Sequence, residues 1–255
     1  MTEEKAQTLA WIDEAQPFPP VDVAWGARSP APGLLCAGSS LTPHQLQAAY
    51  RQGIFPWFSP GQPVLWWSPD PRMVLSLEAF RLRPTLRKTL RRFAKDSRSH
   101  IRVDSAFEQV IRACAQSPRP GQQGTWIVPT MINAYCALHE QGLAHSVETW
   151  VNDQLVGGLY CVAIGKAIFG ESMFYRQSDA SKIALCALVG MCRSQGVTQI
   201  DCQQETPHLA GFGAAPISRS QFLRALPEQL CAEPIDWNFL PLYWSALIKE
   251  STGIT

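Results

Sequence analysis

The chain has 255 residues, of which 46% are hydrophobic, and its 22 Lys and Arg nearly balance its 21 Asp and Glu. A chain of this length folds as two unequal domains or as one large α+β domain. No apolar run approaches the roughly 20 residues of a membrane span, and the acidic start MTEEKAQTLA lacks the apolar segment of a signal peptide. Since none of the eight cysteines forms a CxxC pair, we expect a cytoplasmic protein without a metal site.

The first third of the chain is rich in proline and aromatic residues. We predict an irregular arm up to about residue 34, then a short helix over Thr42–Arg51, capped by Thr42. The stretch from Gly53 to Pro71, GIFPWFSPGQPVLWWSPDP, holds three Trp and five Pro in 19 residues. Because proline removes a ladder hydrogen bond, this stretch is interpreted as a loop and not as a central strand. Exposed rings on such a loop are candidates for stacking on unpaired bases.

Positive charge is concentrated in residues 81–102, which contain nine Arg or Lys and one acid, Asp96. Leu86, Leu90 and Phe93 recur at helical spacing, which predicts one amphipathic helix over this segment. Such a basic face is either simply solvated or the electrostatic footprint of nucleic-acid binding, and the spacing leaves both open. The basic side chains proposed for binding are Arg83, Arg87, Lys88, Arg91, Arg92 and Lys95.

The second half of the chain switches from helical periodicity to alternation. The predicted elements are helices at 104–116 and 129–141 around a Pro/Gly loop at 117–124, strands at 145–151, 154–165 and 168–174, a helix at 179–195 and a strand at 197–203. This order is that of the GNAT acyltransferase fold. The loop RQSDASK before the last helix has no glycine, however, which argues against an ordinary CoA-dependent acetyltransferase.

Two polar groups stand out in these strands. Glu171 lies among apolar residues in IFGESMF, where a carboxylate is costly unless it is paired or functional. Gly170 beside it would let a ligand approach closely. In VTQIDCQQ, Asp201 and Gln203 share one face of a strand, so the carboxylate could orient the carboxamide. The structural alternatives are a salt-bridged Glu and a polar pair at a strand end.

Taken together, YRQGIFPWFSPGQPVLWWSPDPR, GTWI, LHEQGLAHSVETW, LVGGLY, FGESMF, DASKIAL and IDCQQETPHLAGFGA resemble the leucyl/phenylalanyl-tRNA–protein transferase family, from about residue 32 to residue 224. The resemblance implies an α+β protein with a small N-terminal domain (1–70) and a GNAT-like catalytic domain (71–255) whose sheet is mostly antiparallel. It implies an enzyme without metal or CoA that transfers Leu, Phe or Met from aminoacyl-tRNA to the N-terminal Arg or Lys of a protein and so creates an N-degron. A monomer is expected.

The resemblance also implies roles for individual residues. Asp201 and Gln203 match the proposed catalytic pair, and Trp57 and Trp126 match the rings that bracket the terminal adenosine, with Tyr50 nearby. The basic helix would meet the acceptor stem. For the cation of the acceptor protein, Glu171 is the first candidate, before Glu148 and Asp179. The positions that match the aminoacyl pocket are Leu159, Ile168, Gly170, Glu171, Met173 and Leu185.

Two other functions are kept as alternatives. A non-catalytic RNA-binding module could use the same basic helix and rings without transferring anything. A CoA-dependent acetyltransferase would share the fold but needs the missing phosphate loop. Within the transferase reading, proton transfer through Asp201 and Gln203 competes with assistance by the substrate's own ribose hydroxyl.

Overall fold

The computed structural model describes residues 8–117 and 125–249. The predicted Pro/Gly loop lies outside the described residues, apart from Ser117. Strands in the described part form a four-stranded sheet and a seven-stranded sheet, and helices cover both, so the chain is a mixed α/β protein.

The small sheet is built from the first 67 residues. Its strands are β1 (Ala10–Ile12), β2 (Leu34–Gly38), β3 (Phe55–Pro56) and β4 (Val64–Trp67), in the order β1-β2-β4-β3. The β1/β2 pair is parallel and the other two pairs are antiparallel. Helix α1 (Pro43–Tyr50) begins with the predicted Thr42 cap, which a reciprocal bond to Gln45 completes.

Two predictions for this region are wrong. The arm before residue 34 is not wholly irregular, because Ala10–Ile12 pairs with β2 as an edge strand. The aromatic stretch contains β4, which has neighbours on both sides. Its prolines did not prevent this, because Pro63 and Pro69 flank the strand and leave its ladder N–H groups intact.

The large sheet follows the predicted meander. Its order is β11-β5-β10-β9-β8-β7-β6, and of its pairs only β9/β10 is parallel within the described part of the chain. Both sheets are therefore mixed. The strands are β5 (Arg72–Ser76), β6 (Ser99–Val103), β7 (Ala144–Val151), β8 (Gln154–Ile164), β9 (Ala167–Tyr175), β10 (Gln199–Gln203) and β11 (Ala215–Ile217).

The single basic helix predicted over 81–102 is wrong in extent. Helix α2 (Pro84–Phe93) ends after ten residues, and the chain turns at Asp96, whose side chain binds the backbone and guanidinium of Arg98. The rest of the segment is β6, at the edge of the large sheet. The other helices are α3 (Phe107–Gln116), α4 (Pro129–Glu140), α5 (Ala180–Ser194), α6 (Pro207–Ala210), α7 (Arg219–Cys231) and α8 (Leu242–Lys249).

Two clusters of buried side chains cover the two faces of the large sheet. Consecutive residues of β8 alternate between them, with Tyr160 in one and Leu159 in the other. The first cluster continues through α3 and α4 into the small sheet, where it includes Trp66. The second packs α2, α5 and α8 against the sheet. The small sheet thus shares a core with one face of the large one.

Candidate active site

The parallel strands β9 and β10 separate and open a cavity. They pair at Ile168 with Ile200 and at Phe169 with Asp201. The residues that follow on each strand line one cavity of about 450 Å³. Because the two strands diverge there, polar side chains from both can face the same space.

Two irregularities in strand pairing turn these side chains into the cavity. On β9, the pairing with β8 passes from Gly170 to Ser172 and leaves Glu171 without a partner residue. On β10, the pairing with β5 shifts between Asp201 and Gln203, and Gln203 has a left-handed backbone (φ 56°). A side chain at such a φ is strained, and strain of this kind is concentrated at functional sites.

The cavity brings together eight of the eleven residues predicted for catalysis, for the aminoacyl pocket and for the adenosine. It joins the apolar wall, the two indoles, the carboxylate of β9 and the carboxamide of β10. The predicted residues that line it are Leu159, Gly170, Met173, Leu185, Trp57, Trp126, Glu171 and Gln203.

Ile168 and Tyr50 do not line the cavity. Ile168 is 1% exposed and packs in the second core cluster. It pairs with Ala163, nearer the β8/β9 turn than the Met173–Leu159 pair that lines the cavity. Tyr50 is fully buried, with its ring 4.9 Å from that of Phe169. A ring without exposed surface cannot stack on an adenine, so the predicted contact of Tyr50 with the adenosine is not supported.

Asp201 lies behind the cavity wall in a buried ion pair. Arg72 donates to both of its carboxylate oxygens, from Nε at 2.8 Å and from Nη2 at 2.6 Å. The same carboxylate accepts the backbone N–H of Gln203 at 3.0 Å. Asp201 therefore holds the strained backbone of Gln203 and does not contact its carboxamide.

Sequence reasoning missed Arg72. Its guanidinium is fully buried, donates from Nη1 to the carbonyl of Gly53 at 3.0 Å, and lies 4.9 Å and 4.8 Å from the rings of Phe55 and Phe222. The only sequence signal was a lone arginine at the start of the apolar strand β5, where an unpaired charge would be costly.

Glu171 is held by hydroxyl and amide groups. Tyr50 donates to Oε1 at 2.6 Å, the amide nitrogen of Gln203 lies 3.3 Å from the same oxygen, and Tyr135 lies 3.2 Å from Oε2. Burial raises the pKa of Glu171 to about 7, against the opposing effect of the Tyr50 hydrogen bond. The charge of Asp201 adds to the increase. Tyr135, on an apolar face of α4, carried no sequence signal.

The two indoles lie at the cavity and are half-buried. Trp57 packs edge-on against Trp67 at 5.4 Å, and the indole N–H of Trp67 donates to the carbonyl of Trp57 at 2.7 Å. The other large rings of the aromatic stretch, Phe55, Phe58, Trp66 and Trp67, are buried. Of these buried rings, Phe55 also lines the cavity, beside the half-buried Trp57.

A wall that was not predicted comes from the short helix α6 and the residue before it. Thr206, His208 and Leu209 line the cavity there. Burial and the nearby charge of Lys182 lower the pKa of His208, which favours a neutral imidazole at pH 7.

Of the three carboxylates considered for the acceptor cation, Glu171 alone lines the cavity. Asp179 pairs with Lys182 at 2.6 Å. Glu148 is fully buried. Its carboxylate already accepts hydrogen bonds from the Ser105 hydroxyl, the Ala106 backbone, the Ser146 hydroxyl and the Trp150 indole.

The basic face of α2 has the predicted amphipathic form. Leu86, Leu90 and Phe93 are buried, as their spacing predicts. Arg87 is partly buried and donates to the Leu82 carbonyl at 3.2 Å. None of these side chains lines the cavity, so a contact with RNA on this face stays a prediction. The exposed basic residues of the predicted set are Arg83, Lys88, Arg91, Arg92 and Lys95.

Over 8–117 and 125–249, no helix is long and apolar enough to cross a bilayer. The same ranges contain no group of three or more His, Cys, Asp or Glu side chains that could hold a metal ion.

The family models and the curated relatives that match this chain carry the same family description. The family model described as leucyl/phenylalanyl-tRNA protein transferase matches residues 74–227, and that of its N-terminal domain matches residues 39–70. The chain is 61% identical over 247 residues, 97% of each chain, to the leucyl/phenylalanyl-tRNA–protein transferase of Albidiferax ferrireducens. Identity to the corresponding protein of a Polaromonas species is 57% over 240 residues, 94% of each chain.

Solved structures are more distant. FemX matches with a TM-score of 0.43 at 13% identity, over 68% of this chain and 66% of its own. An N-acetyltransferase from Kribbella flavida matches with a TM-score of 0.36 at 9% identity, over 68% and 60%. Scores this low carry no argument, and the sequence matches decide: the chain belongs to the leucyl/phenylalanyl-tRNA–protein transferase family.

Proposed function

We propose that this protein transfers Leu, Phe or Met from aminoacyl-tRNA to the N-terminal Arg or Lys of an acceptor protein. The observation that carries the proposal is the single cavity that joins an apolar wall, two indoles and the polar pair Glu171 and Gln203. These are the surfaces that an aminoacyl ester, its terminal nucleoside and an incoming amine require. The product would carry a new hydrophobic N-terminus and so an N-degron.

The apolar part of the cavity would take the esterified side chain. Leu159, Met173 and Leu185 line it, on a GNAT-like arrangement of diverging strands. Straight and γ-branched side chains fit such a site, and β-branched Ile and Val would be rejected by shape. Because one methyl group changes binding by only about 1–3 kcal/mol, rejection must also rest on how the ester is aligned.

The two indoles would hold the terminal adenosine. Trp57 and Trp126 border the cavity that also contains Gln203, and base–indole stacking is worth about 1–3 kcal/mol per base. Trp57 follows Pro56 and packs on Trp67. Little conformational freedom would then be lost when the nucleoside binds. Recognition of an unpaired RNA end by stacking is common.

The chemistry would be attack of an α-amine on an activated ester, so positioning supplies much of the acceleration, potentially about 7–11 kcal/mol. Gln203 binds Glu171 through its amide nitrogen at 3.3 Å. Its carbonyl oxygen can therefore accept an N–H of the amine. Asp201, which holds the backbone of Gln203, would act as a positioning residue one step away.

This assignment of Gln203 competes with assistance by the ribose hydroxyl of the substrate. Replacing Gln203 with Ala should lower kcat while the affinity for aminoacyl-tRNA, measured separately, changes little. A nearly normal kcat would remove the carboxamide from the reaction and favour the ribose hydroxyl.

One assay tests the proposed function against its alternatives. Purified protein is mixed with Leu-tRNA and a peptide that begins with Arg, without CoA, and the peptide is analysed for an added leucine. A peptide that begins with Ala is the matched control. Transfer to the Arg peptide alone is expected. Binding of tRNA without transfer would indicate the RNA-binding module, and a requirement for CoA would indicate an acetyltransferase.

A contact between the acceptor stem and α2 belongs to the same proposal. The exposed arginines and lysines of that helix would meet phosphates, which position RNA without reading its sequence. Affinity for tRNA should then fall steeply with salt.

A further inference from the structure

We propose that Glu171 is the proton acceptor of the reaction and that Tyr50 and Tyr135 position it. The inference deepens the proposed function and rests on it. It assigns to Glu171 a step in the chemistry, in place of the binding of the acceptor's cationic side chain.

The hydrogen bonds around Glu171 leave one carboxylate oxygen able to accept a bond from the substrate. The two tyrosine hydroxyls lie 2.5 Å apart, and each has one proton to donate. If Tyr50 donates to Oε1, then Tyr135 donates to the hydroxyl oxygen of Tyr50, the nearer of its two possible acceptors. With the single Tyr135 proton used in that shorter bond, Oε2 keeps only a 3.2 Å contact with the Tyr135 oxygen, on a side chain that lines the cavity. An N–H of the acceptor amine can fill that place.

The other groups around Glu171 are less suited to take a proton. Asp201 is bound on both oxygens by Arg72 and does not line the cavity. The carboxamide of Gln203 accepts a hydrogen bond but does not hold a proton at neutral pH. The tyrosines have their pKa raised well above 10 by burial, so they stay protonated donors. His208 remains as a second base in the same cavity.

Burial gives Glu171 a suitable proton affinity. Its pKa of about 7 is close to neutral pH and to the roughly 8 of a peptide α-amine. A general base works best when its pKa lies near the working pH. A surface carboxylate, with a pKa near 4, would be a much weaker base.

The proton transfers balance as follows. The neutral form of the amine attacks the ester carbonyl, a C–N bond forms, and the nitrogen becomes positively charged. The Glu171 carboxylate removes one proton from that nitrogen. As the C–O3′ bond breaks, the protonated Glu171 returns this proton to the leaving 3′-oxygen. The products are the amide and the free 3′-hydroxyl, and the carboxylate is regenerated.

The test is a set of pH profiles of kcat with Leu-tRNA and an Arg peptide. Glu171→Gln should lower kcat about 10²–10⁴-fold, the usual contribution of general acid–base catalysis, with little change in the KM of either substrate. Tyr135→Phe should move the acidic limb of the profile to higher pH, because Tyr50 loses the hydrogen bond that strengthens its own donation to the Glu171 carboxylate. At high pH its kcat should approach that of the wild type.

Controls separate this inference from the proposed function and from misfolding. Glu205→Gln makes the same change on an exposed side chain outside the cavity and should leave kcat unchanged. Urea unfolding must show that each variant is folded. If the wild type transfers nothing at any pH, the proposed function fails, whatever the variants do.

Three results with an active wild type would overturn the inference. The first is a Glu171→Gln variant with kcat within about threefold of the wild type. The second is a rise confined to the KM of the Arg peptide, which would assign Glu171 to binding of the acceptor side chain. The third is a His208→Gln variant that loses the acidic limb while Glu171→Gln keeps it, which would make His208 the base.

Discussion

Two carboxylates lie on adjacent parallel strands of this protein, and their surroundings give them different tasks. Asp201 on β10 accepts hydrogen bonds from the guanidinium of Arg72 on both carboxylate oxygens. Among the described residues, the neighbours of Glu171 on β9 within hydrogen-bond distance are hydroxyl and amide groups. Asp201 is thus held by its ion pair in a structural position, whereas the charge of Glu171 can change near neutral pH. A buried acid becomes available for proton transfer when its hydrogen-bond donors lack a full positive charge.

The largest expected effect on stability comes from breaking the buried ion pair between Arg72 and Asp201. Replacing Arg72 with Met leaves Asp201 buried without a counter-ion, and breaking a buried pair in this way costs about 3–5 kcal/mol. We expect the free energy of unfolding, measured with urea at pH 7.5, to fall by that amount. The double variant Arg72→Met with Asp201→Leu should be more stable than Arg72→Met alone. A single variant as stable as the wild type would show that the guanidinium does not neutralise Asp201.

Replacing Glu171 is expected to stabilise the protein, by an amount that depends on pH. Because the native pKa of Glu171, about 7, lies above the ordinary 4.5, its stabilising contribution is complete below pH 4.5 and is lost as pH rises through 7. Glu171→Gln removes the charge that is costly at high pH. It should raise the unfolding free energy by up to about 3 kcal/mol at pH 8 and by less than about 1 kcal/mol at pH 5.

Glu148 provides the matched comparison for that prediction. It is fully buried like Asp201 and accepts hydrogen bonds from several donors. Glu148→Gln places an amide N–H group against one of these donors, so it should destabilise the protein at pH 8. If both glutamine variants shifted stability in the same direction, the contrast between the two sites would be wrong.

The smallest effect on stability is expected for exposed charged side chains. Arg91 and Arg92 are exposed on α2, so replacing both with Gln should change the unfolding free energy by no more than about 0.5 kcal/mol. If α2 contacts phosphates, the same variant should weaken tRNA binding and reduce its dependence on salt. Binding measured from 50 to 200 mM salt tests this, and an unchanged slope would place the RNA elsewhere.

Local patterns in the sequence predicted local structure well. The spacing of Leu86, Leu90 and Phe93 predicted the buried stripe of α2, and alternation predicted the meander, because both periodicities are set by neighbouring residues. The prolines of Gly53–Pro71 were wrongly taken to exclude a strand with neighbours on both sides. The prediction did not separate prolines inside a strand from prolines at its ends, and it missed β4.

The site was only partly accessible from the sequence, because its key contacts are long-range. The bulge at Glu171 depends on pairing with β8, so the sequence did not show which residues of β9 line the cavity, and Ile168 does not. Arg72 lies 129 residues from Asp201, and Tyr50 lies 121 residues from Glu171. No spacing rule connects positions so far apart. Gln203 was singled out with Asp201 by strand alternation, whereas the role of Trp57 at the adenosine came from the family resemblance.

The hydrogen bonds of Arg72 fix a distance within the substrate site. Its guanidinium ties the Gly53 carbonyl, at the start of the segment that leads to Trp57, to the strand that carries Gln203. One rigid planar group thereby fixes the span between the ring that would meet the nucleoside and the group that would meet the ester. Inserting a residue between Gly53 and Trp57 would alter that span by about 3.3 Å, more than the length of the bonds joining a ribose to its acyl group. Tolerance to changes in chain length should therefore be lower in this short segment than in any exposed loop of the molecule.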